Sequence, residues 1–363
     1  MRLTSLKLES FRSYQTLSLE FNGEEKPVML LGENATGKTN VLEAVSILAL
    51  LKSQRKAHET DMISWEQSHY RITGILKSYT GEEKTLEVVS QVIPRKQRGF
   101  FVNGVRTPAQ RYVGTLPLIT FAPDDLDLFT GSPGGRRRFV DQLLCQVSSS
   151  YLQALSEYEK SLKQRNTMLK QIREGICNTD SLNIWDEKIA TLGSLITVDR
   201  LRLFERLQNG IFKELIILGE KPSSSEFKYI RKTSGLDDAQ IRSELIEQLA
   251  FNRERDIIIA NTTTGPHRDD WILEIDSRDI STFASRGQQR AALLALLLLQ
   301  SSFLEERKSE KPVLLLDDIF SEFDEKHRTA VLNGFSQNQV IITGVELDEK
   351  LRDKAQILAC PLS

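Results

Sequence analysis

The amino-acid sequence predicts an α/β fold in which a β-rich N-terminal lobe belongs to a head that is split by an inserted helical segment. Three observations carry this. A short apolar run, Val28–Leu31, enters a glycine-rich loop and then a helix-forming stretch. A second apolar run, Val313–Leu316, ends in two aspartates, Asp317 and Asp318. Between them, apolar residues recur at helical spacing from Val140 to Ile211.

The first elements read as strands. Residues around Leu3–Leu8 form one, and Leu17, Leu19 and Phe21 alternate with Ser18 and Glu20, the period of a half-buried second. Val28–Leu31 is continuously apolar, as a strand covered on both faces should be. Thr39–Leu51 reads as a helix. Tyr70–Ile93 and Gly99–Arg106 read as further strands, with Asn103-Gly104 as a turn signal.

The texture then changes. From Phe139 to Ile172 apolar residues fall in steps of mostly three and four, a near-heptad stripe. After a break at Gly175–Ser181, a second stripe runs through Trp185, Ile189, Leu192, Ile196, Leu203, Leu207 and Ile211. Two arrangements suit these stripes: an antiparallel hairpin with arms of roughly 40–50 Å at about 1.5 Å per residue, or a compact helical subdomain. Ile257–Asn261 and Trp271–Ile275 return to strand-like texture. The expected division is therefore a first part of the head at 1–133, a helical arm with its connector at 134–250, and the rest of the head at 251–363.

Composition sets bounds on function. The chain has 363 residues with a formal net charge of -2, so a nucleic-acid partner would be met by a local basic patch, not by overall charge. Cys145, Cys177 and Cys360 are scattered and odd in number, which fits a reducing compartment and no cysteine metal site. The N-terminus alternates and carries charge, unlike a signal peptide. The longest apolar run, Ala291–Leu299, is far below the roughly 18 residues of a membrane span. A soluble, cytoplasmic protein without membrane attachment is expected.

The chemistry lies in three motifs. Gly32-Glu33-Asn34-Ala35-Thr36-Gly37-Lys38-Thr39 matches G-x-x-x-x-G-K-[ST] between a strand and a helix. Such a loop turns backbone N–H groups inward around a triphosphate; Lys38 would neutralise β- and γ-phosphates and the Thr39 hydroxyl would hold Mg²⁺. Asp317 suits a Mg²⁺ position at the end of its strand, and Asp318 is the candidate to orient or deprotonate an attacking water. Ser285-Arg286-Gly287-Gln288 opens an apolar helix and precedes Asp317 by 32 positions. Alone it would read as a serine N-cap. With the other two motifs it resembles the signature of ABC-type ATPases, in which Ser285 and the Gly287 N–H would face the γ-phosphate held by a second protomer. Ser321-Glu322-Phe323-Asp324 then resembles the loop that links two such sites.

Transporter-type ABC subunits have a much shorter stretch between phosphate loop and signature. The long, helical stretch here points to the SMC-like group, though the arms are far too short for an SMC protein. Within that group the chain resembles the RecF family. The resemblance rests on Leu8–Tyr14 (with Ser10 where the family often has Asn), Gly32–Ala44, Phe121–Asp141, Gly265–Asp270 and Leu314–Asp324. It implies a weak, DNA-stimulated ATPase that dimerises head to tail with ATP and Mg²⁺ and binds double-stranded DNA at gap junctions. It further implies action with RecR and RecO in loading RecA. By the same resemblance, nucleotide contacts come from Arg12, Gly32–Thr39 and Asn40, with Asp124 or Asp125 near a lid-like position. Ser321 and Asp324 would belong to the linking loop. A short SMC-like clamp that tethers DNA without mediating recombination is the alternative, separated by RecR binding.

Two departures follow. Asp318 stands where many ABC ATPases have Glu, which implies slow turnover. Ile341–Glu346 contains no histidine where transporters have a γ-phosphate switch, leaving Thr343 as the substitute to test. For DNA the candidates are Lys52, Arg55 and Lys56, then Arg95, Lys96 and Arg98, with Arg136–Arg138 as a third cluster. The first two are preferred because they lie in the head. His267, beside Gly265-Pro266, reads as structural.

Overall fold

The computed structural model describes residues 1–21, 27–55, 57–319, 323–345 and 355–359. The chain divides into two compact units, Met1–Leu126 with Arg290–Ser363, and Asp127–Gln289.

The first unit contains two sheets. One is six-stranded, in the order β2-β1-β4-β5-β6-β7, from β1 (Arg2–Phe11), β2 (Tyr14–Glu20), β4 (His69–Lys77), β5 (Glu83–Gln91), β6 (Gln97–Val102) and β7 (Val105–Arg106). Its neighbours pair antiparallel, and β4 alternates buried with exposed residues, as a sheet covered on one face requires. Asn103 and Gly104 both take positive φ, turning β6 into β7. The other sheet is five-stranded and parallel, in the order β14-β3-β13-β12-β8, from β3 (Val28–Leu31), β8 (Leu118–Phe121), β12 (Val313–Leu316), β13 (Val340–Gly344) and β14 (Gln356–Ala359). Every residue of β12 and β13 is buried, the mark of central parallel strands. Helix α1 (Lys38–Leu50) is buried along almost its whole length, from Val41 to Leu50. It packs against strands of both sheets. Gly74 on β4 permits this, because a Cβ there would collide with Leu48 of α1 and Leu3 of β1. The remaining helices of this unit are α2 (Ala109–Tyr112), most of α9 (Arg286–Lys308) and α10 (Glu325–Gly334).

The second unit holds α3 (Pro133–Val147), α4 (Ser149–Arg173), α5 (Asn183–Ile217), α6 (Asp238–Phe251), α7 (Arg253–Ile259) and α8 (Ile280–Phe283). A three-stranded sheet, β11-β10-β9, joins β9 (Ser225–Ile230), β10 (Asp270–Ile275) and β11 (Arg278–Asp279). Helices α4 and α5 form an antiparallel hairpin, and it is packed within a compact unit, so features of both arrangements are present. Arg165 meets Asp186, Tyr158 lies against Gly193, and Tyr151 meets Arg200, so one index falls by seven as the other rises by seven. That is an antiparallel seam with heptad spacing.

Three expectations need correction. The Phe139–Ile172 stripe is two helices, because Ser148 leaves helical geometry and its hydroxyl accepts from the Tyr151 N–H, capping α4. Ile257–Asn261 is not a strand: Ile257–Ile259 lie in α7, where Asp256 is fully buried and Ile258 is exposed. Long-range ion pairing of Asp256 outweighs the β-propensity of three isoleucines. Finally, residues 251–289 pack with the arm, not the head, because β9 pairs with β10 and α7 packs on α4.

The centre of this unit is polar as well as aromatic. Trp271 is ringed by Phe129, Phe139, Phe204 and Phe227. His267 lies between the Tyr158 hydroxyl (2.6 Å) and the Thr262 carbonyl (3.0 Å), and burial pushes its pKa down to about 4. Burial pushes Asp269, bonded to Tyr229, up to about 6. These shifts oppose each other. His267 stays neutral when folded, so its contribution is lost as pH falls from 6.5 towards 4. Asp269 keeps its proton when folded, so its contribution is lost as pH rises from 3.8 through 6. Between pH 4 and 6 the two slopes cancel. Asp269→Asn removes one of them, and in urea titrations the variant should lose about 1–2 kcal/mol more than the parent on acidification from pH 6 to 4.5. Parallel pH profiles would show that Asp269 does not titrate in this window.

Candidate nucleotide site

The phosphate loop joins β3 to α1. Ala35 and Gly37 take left-handed backbone (φ 66° and 98°), which turns successive N–H groups to one side. Gly37 is needed twice, since a Cβ there would also collide with the Tyr14 hydroxyl. No side chain caps α1 and its first turn carries no acidic residue, so its N-terminal dipole is left for an anion. The Lys38 ammonium folds back on the loop, donating to the carbonyls of Gly32 (2.6 Å) and Glu33 (2.7 Å). Thr36 closes the turn through its hydroxyl to the Glu33 carbonyl. Asn34 lies on the exposed part of this loop.

Two residues distant in sequence meet beside the loop. The Thr39 hydroxyl donates to Asp317 Oδ1 at 3.2 Å. The same oxygen accepts from the Thr343 hydroxyl at 2.7 Å, and that hydroxyl accepts from the Asp318 N–H at 2.9 Å. Asp318 takes a left-handed φ of 49°, uncommon outside glycine. Hydroxyl and carboxylate oxygens facing each other are the donor set that a hard divalent cation such as Mg²⁺ takes. Thr343 is 1% exposed with its hydroxyl engaged on both sides, so it does not present a free donor to a phosphate.

Arg12 has internal partners that the sequence did not show. Its guanidinium grips Glu43 of α1 with two bonds, 2.8 and 2.7 Å, and donates to the Asp61 carbonyl. Glu43 is fully buried and also accepts from Ser53. Asn40 bonds Ser13 through its amide nitrogen and Arg55 through its amide oxygen. The loop at 12–13, the phosphate-loop helix and the segment 53–55 thus form one network. Glu43 was visible as the lone acid of α1, but nothing in sequence paired it with Arg12.

Among the basic candidates, Lys52, Arg55, Arg95 and Lys96 are exposed, while Lys56 lies outside the described residues. Arg98 is part of the scaffold: it pairs with Glu59 at 2.9 Å, stacks on Phe100 and donates to the Leu51 carbonyl. Lys96 pairs with the same Glu59. The two clusters therefore share one stretch of surface, because Arg98 ties β6 to the residue before Lys52. In the third cluster Arg136 is taken up by a two-bond pair to Asp270 and Arg137 by the Asp269 carbonyl, while Arg138 is exposed. Asp125 accepts from the Ala122 N–H within a 3₁₀ turn, Pro123–Leu128.

In the second unit, Ser285, Arg286, Gly287 and Gln288 are exposed at the start of α9. Ser285 and Gln288 bond reciprocally, side chain to backbone N–H, at 3.3 and 2.9 Å. That is a capping box, so the N-cap geometry is present together with the exposed S-x-G-Q surface. Asp324 caps α10 and pairs with His327; Ser321 lies outside the described residues.

A phosphate loop on a parallel sheet, an aspartate pair at the end of β12 two strands away in the same sheet and an S-x-G-Q helix define the head of an ABC-type ATPase. Residues 2–357 match the RecF/RecN/SMC N terminal domain family. The DNA replication and repair protein RecF of Enterococcus faecalis is 35% identical, covering 98% of this chain and 95% of its own. That of Oenococcus oeni is 36% identical, covering 97% and 95%. A solved structure of the recombination mediator protein RecF-ATP in the RecFOR pathway superposes with a TM-score of 0.86 at 29% identity, covering 96% of this chain and 92% of that one. An Smc head bound to the C-winged helix domain of ScpA superposes at 0.54 with 14% identity over 99% and 94%, a likeness of fold alone. The chain belongs to the RecF family. Among the described residues, no helix is long and apolar enough to cross a membrane.

Proposed function

We propose that the chain is an ATP-dependent recombination mediator of the RecFOR pathway, a slow ATPase whose ATP-bound form is a head-to-tail dimer on duplex DNA near single-strand gaps. The observation that carries this is the meeting of Thr39 and Asp317 beside the phosphate loop. The solved RecF-ATP relative supports ATP as the nucleotide.

In this reading the N–H groups of residues 32–39 hold the phosphates, and Lys38 leaves the Gly32 and Glu33 carbonyls for them. Thr39 and Asp317 would hold Mg²⁺, which supplies charge neutralisation across the phosphates. Asp318 orients the attacking water and accepts its proton. Its shorter side chain, relative to glutamate, makes turnover slow. The exposed Ser285–Gln288 segment meets the γ-phosphate of a second protomer, and Asp324 lies in the linking loop. Lys52, Arg55, Arg95 and Lys96 form the duplex-binding surface, two copies of which are needed for tight binding. RecR, with RecO, recruits the dimer to the gap for RecA loading.

Sedimentation of the parent and of Ser285→Arg, with ATP, duplex DNA and RecR, tests this. The parent should become a dimer with ATP, bind duplex more tightly as it does so, and carry RecR. The variant should bind ATP with unchanged affinity yet stay monomeric, because a long side chain fills the signature surface. A variant that dimerises like the parent would remove Ser285 from the interface, and a parent that never binds RecR would favour a DNA-tethering clamp.

A further inference from the structure

The position of Thr343 goes beyond that assignment, although it rests on the ATPase reading. We infer that Thr343 is a positioning residue that sets Asp317 and Asp318 together, so that the metal-holding and water-orienting carboxylates are adjusted by one hydroxyl. Strand β13 lies between β3, which leads to the phosphate loop, and β12, which leads to the aspartates. Thr343 is the penultimate residue of β13 and pairs in register with Leu30.

A threonine hydroxyl has one proton to donate. Here it goes to Asp317 Oδ1 (2.7 Å), and the oxygen accepts from the Asp318 N–H (2.9 Å). The direction of both bonds is fixed, since a carboxylate without a proton only accepts and an amide N–H only donates. The first bond fixes the Asp317 carboxylate, so that Oδ1 faces Thr39 (3.2 Å). The second anchors the backbone of Asp318 in its left-handed conformation, which determines where that side chain starts. Valine has the same shape but would place a methyl group against the carboxylate and remove this acceptor from the half-buried Asp318 N–H. Serine keeps the hydroxyl. A residue beyond the metal-holding pair that orients one of its members commonly changes metal affinity by about 10–100-fold when removed.

The test uses the full chain as parent, Thr343→Val, Thr343→Ala and Thr343→Ser. Binding of a fluorescent ATP analogue is measured in EDTA and across a Mg²⁺ titration, Mn²⁺ binding is followed by paramagnetic resonance, and turnover is recorded in parallel. In EDTA the valine variant should bind the analogue like the parent, since the phosphate loop is untouched. Its half-saturating Mg²⁺ and its Mn²⁺ dissociation constant should rise about tenfold or more, turnover should fall at every metal concentration, and serine should restore both. The alanine variant keeps the test open should valine misfold. Parent-like metal dependence in the folded valine or alanine variant overturns the role of Thr343 alone. Weakened binding of the ATP analogue but not of its ADP counterpart in EDTA also overturns it, in favour of a γ-phosphate sensor. A parent whose nucleotide binding ignores Mg²⁺ altogether overturns the ATPase reading as well.

Discussion

Lys38→Met is expected to raise the ATP dissociation constant by about two orders of magnitude. The ammonium already sits in the mouth of the loop, held by the Gly32 and Glu33 carbonyls at 2.6 and 2.7 Å. Phosphate oxygens carry full negative charge and outcompete neutral carbonyls for it. Hydrogen bonds to a charged group are worth about 1.5–3 kcal/mol each, and losing up to two of them gives roughly 3 kcal/mol, or about 100-fold. Methionine follows the lysine stem as far as Cε and lacks only the ammonium, and α1 is anchored through Val41–Leu50, so the fold should persist. The loss should also scale with phosphate: severe for ATP, less for ADP and slight for AMP. Calorimetric titration of the three nucleotides measures this. Equal affinity of parent and variant for ATP would place the nucleotide elsewhere in the protein.

The motifs were legible because their chemistry is local. A phosphate loop needs glycines and a lysine at fixed spacing within one strand–turn–helix, and Val313–Asp318 announces itself as a buried strand ending in acids. The arm was legible through its periodicity. What escaped depends on partners far along the chain. Arg12 was placed at the nucleotide by resemblance, but its pairing with Glu43 across 31 positions was not visible. Thr343 was named only as the residue to test in place of a switch histidine, and its bonds to Asp317 and the Asp318 N–H were not visible. Arg98 was read as surface charge, but Glu59 and the Leu51 carbonyl claim it. Ile257–Ile259 looked like a strand because β-branching favours one, whereas the burial of Asp256 decides in favour of a helix. At Thr343 and Asp256 a polar side chain beside an apolar run was the available signal. Sequence shows that such a residue must have a partner, but not which one.

The largest effect of that kind is expected at Asp256. Arg165 interrupts the apolar stripe of α4 and is fully buried, as is Asp256, while Asp186 is 5% exposed. Arg165 donates through Nε to Asp186 (2.7 Å) and through Nη1 to Asp256 (2.7 Å) and Thr262 (3.0 Å). Arg253 completes the set by donating to the other oxygen of Asp186 at 2.7 Å. Two guanidinium groups and two carboxylates balance in charge. Asp256→Ala leaves an uncompensated positive charge in the arm and also releases the N–H and hydroxyl of Thr263, both of which Asp256 accepts. Breaking a buried pair from one side costs about 3–5 kcal/mol, enough to shift the urea midpoint of the second unit strongly, with the fluorescence of Trp185 and Trp271 as the probe. Replacing both partners, Arg165→Met with Asp256→Leu, removes the charges together and should recover most of the loss, so the two single changes are not additive. ATP affinity should stay at the parent value in each of these variants, because the phosphate loop belongs to the other unit. A loss below about 1 kcal/mol for Asp256→Ala, the scale of exposed pairs, would mean that water reaches Arg165 and that the arm is not held together by this cluster.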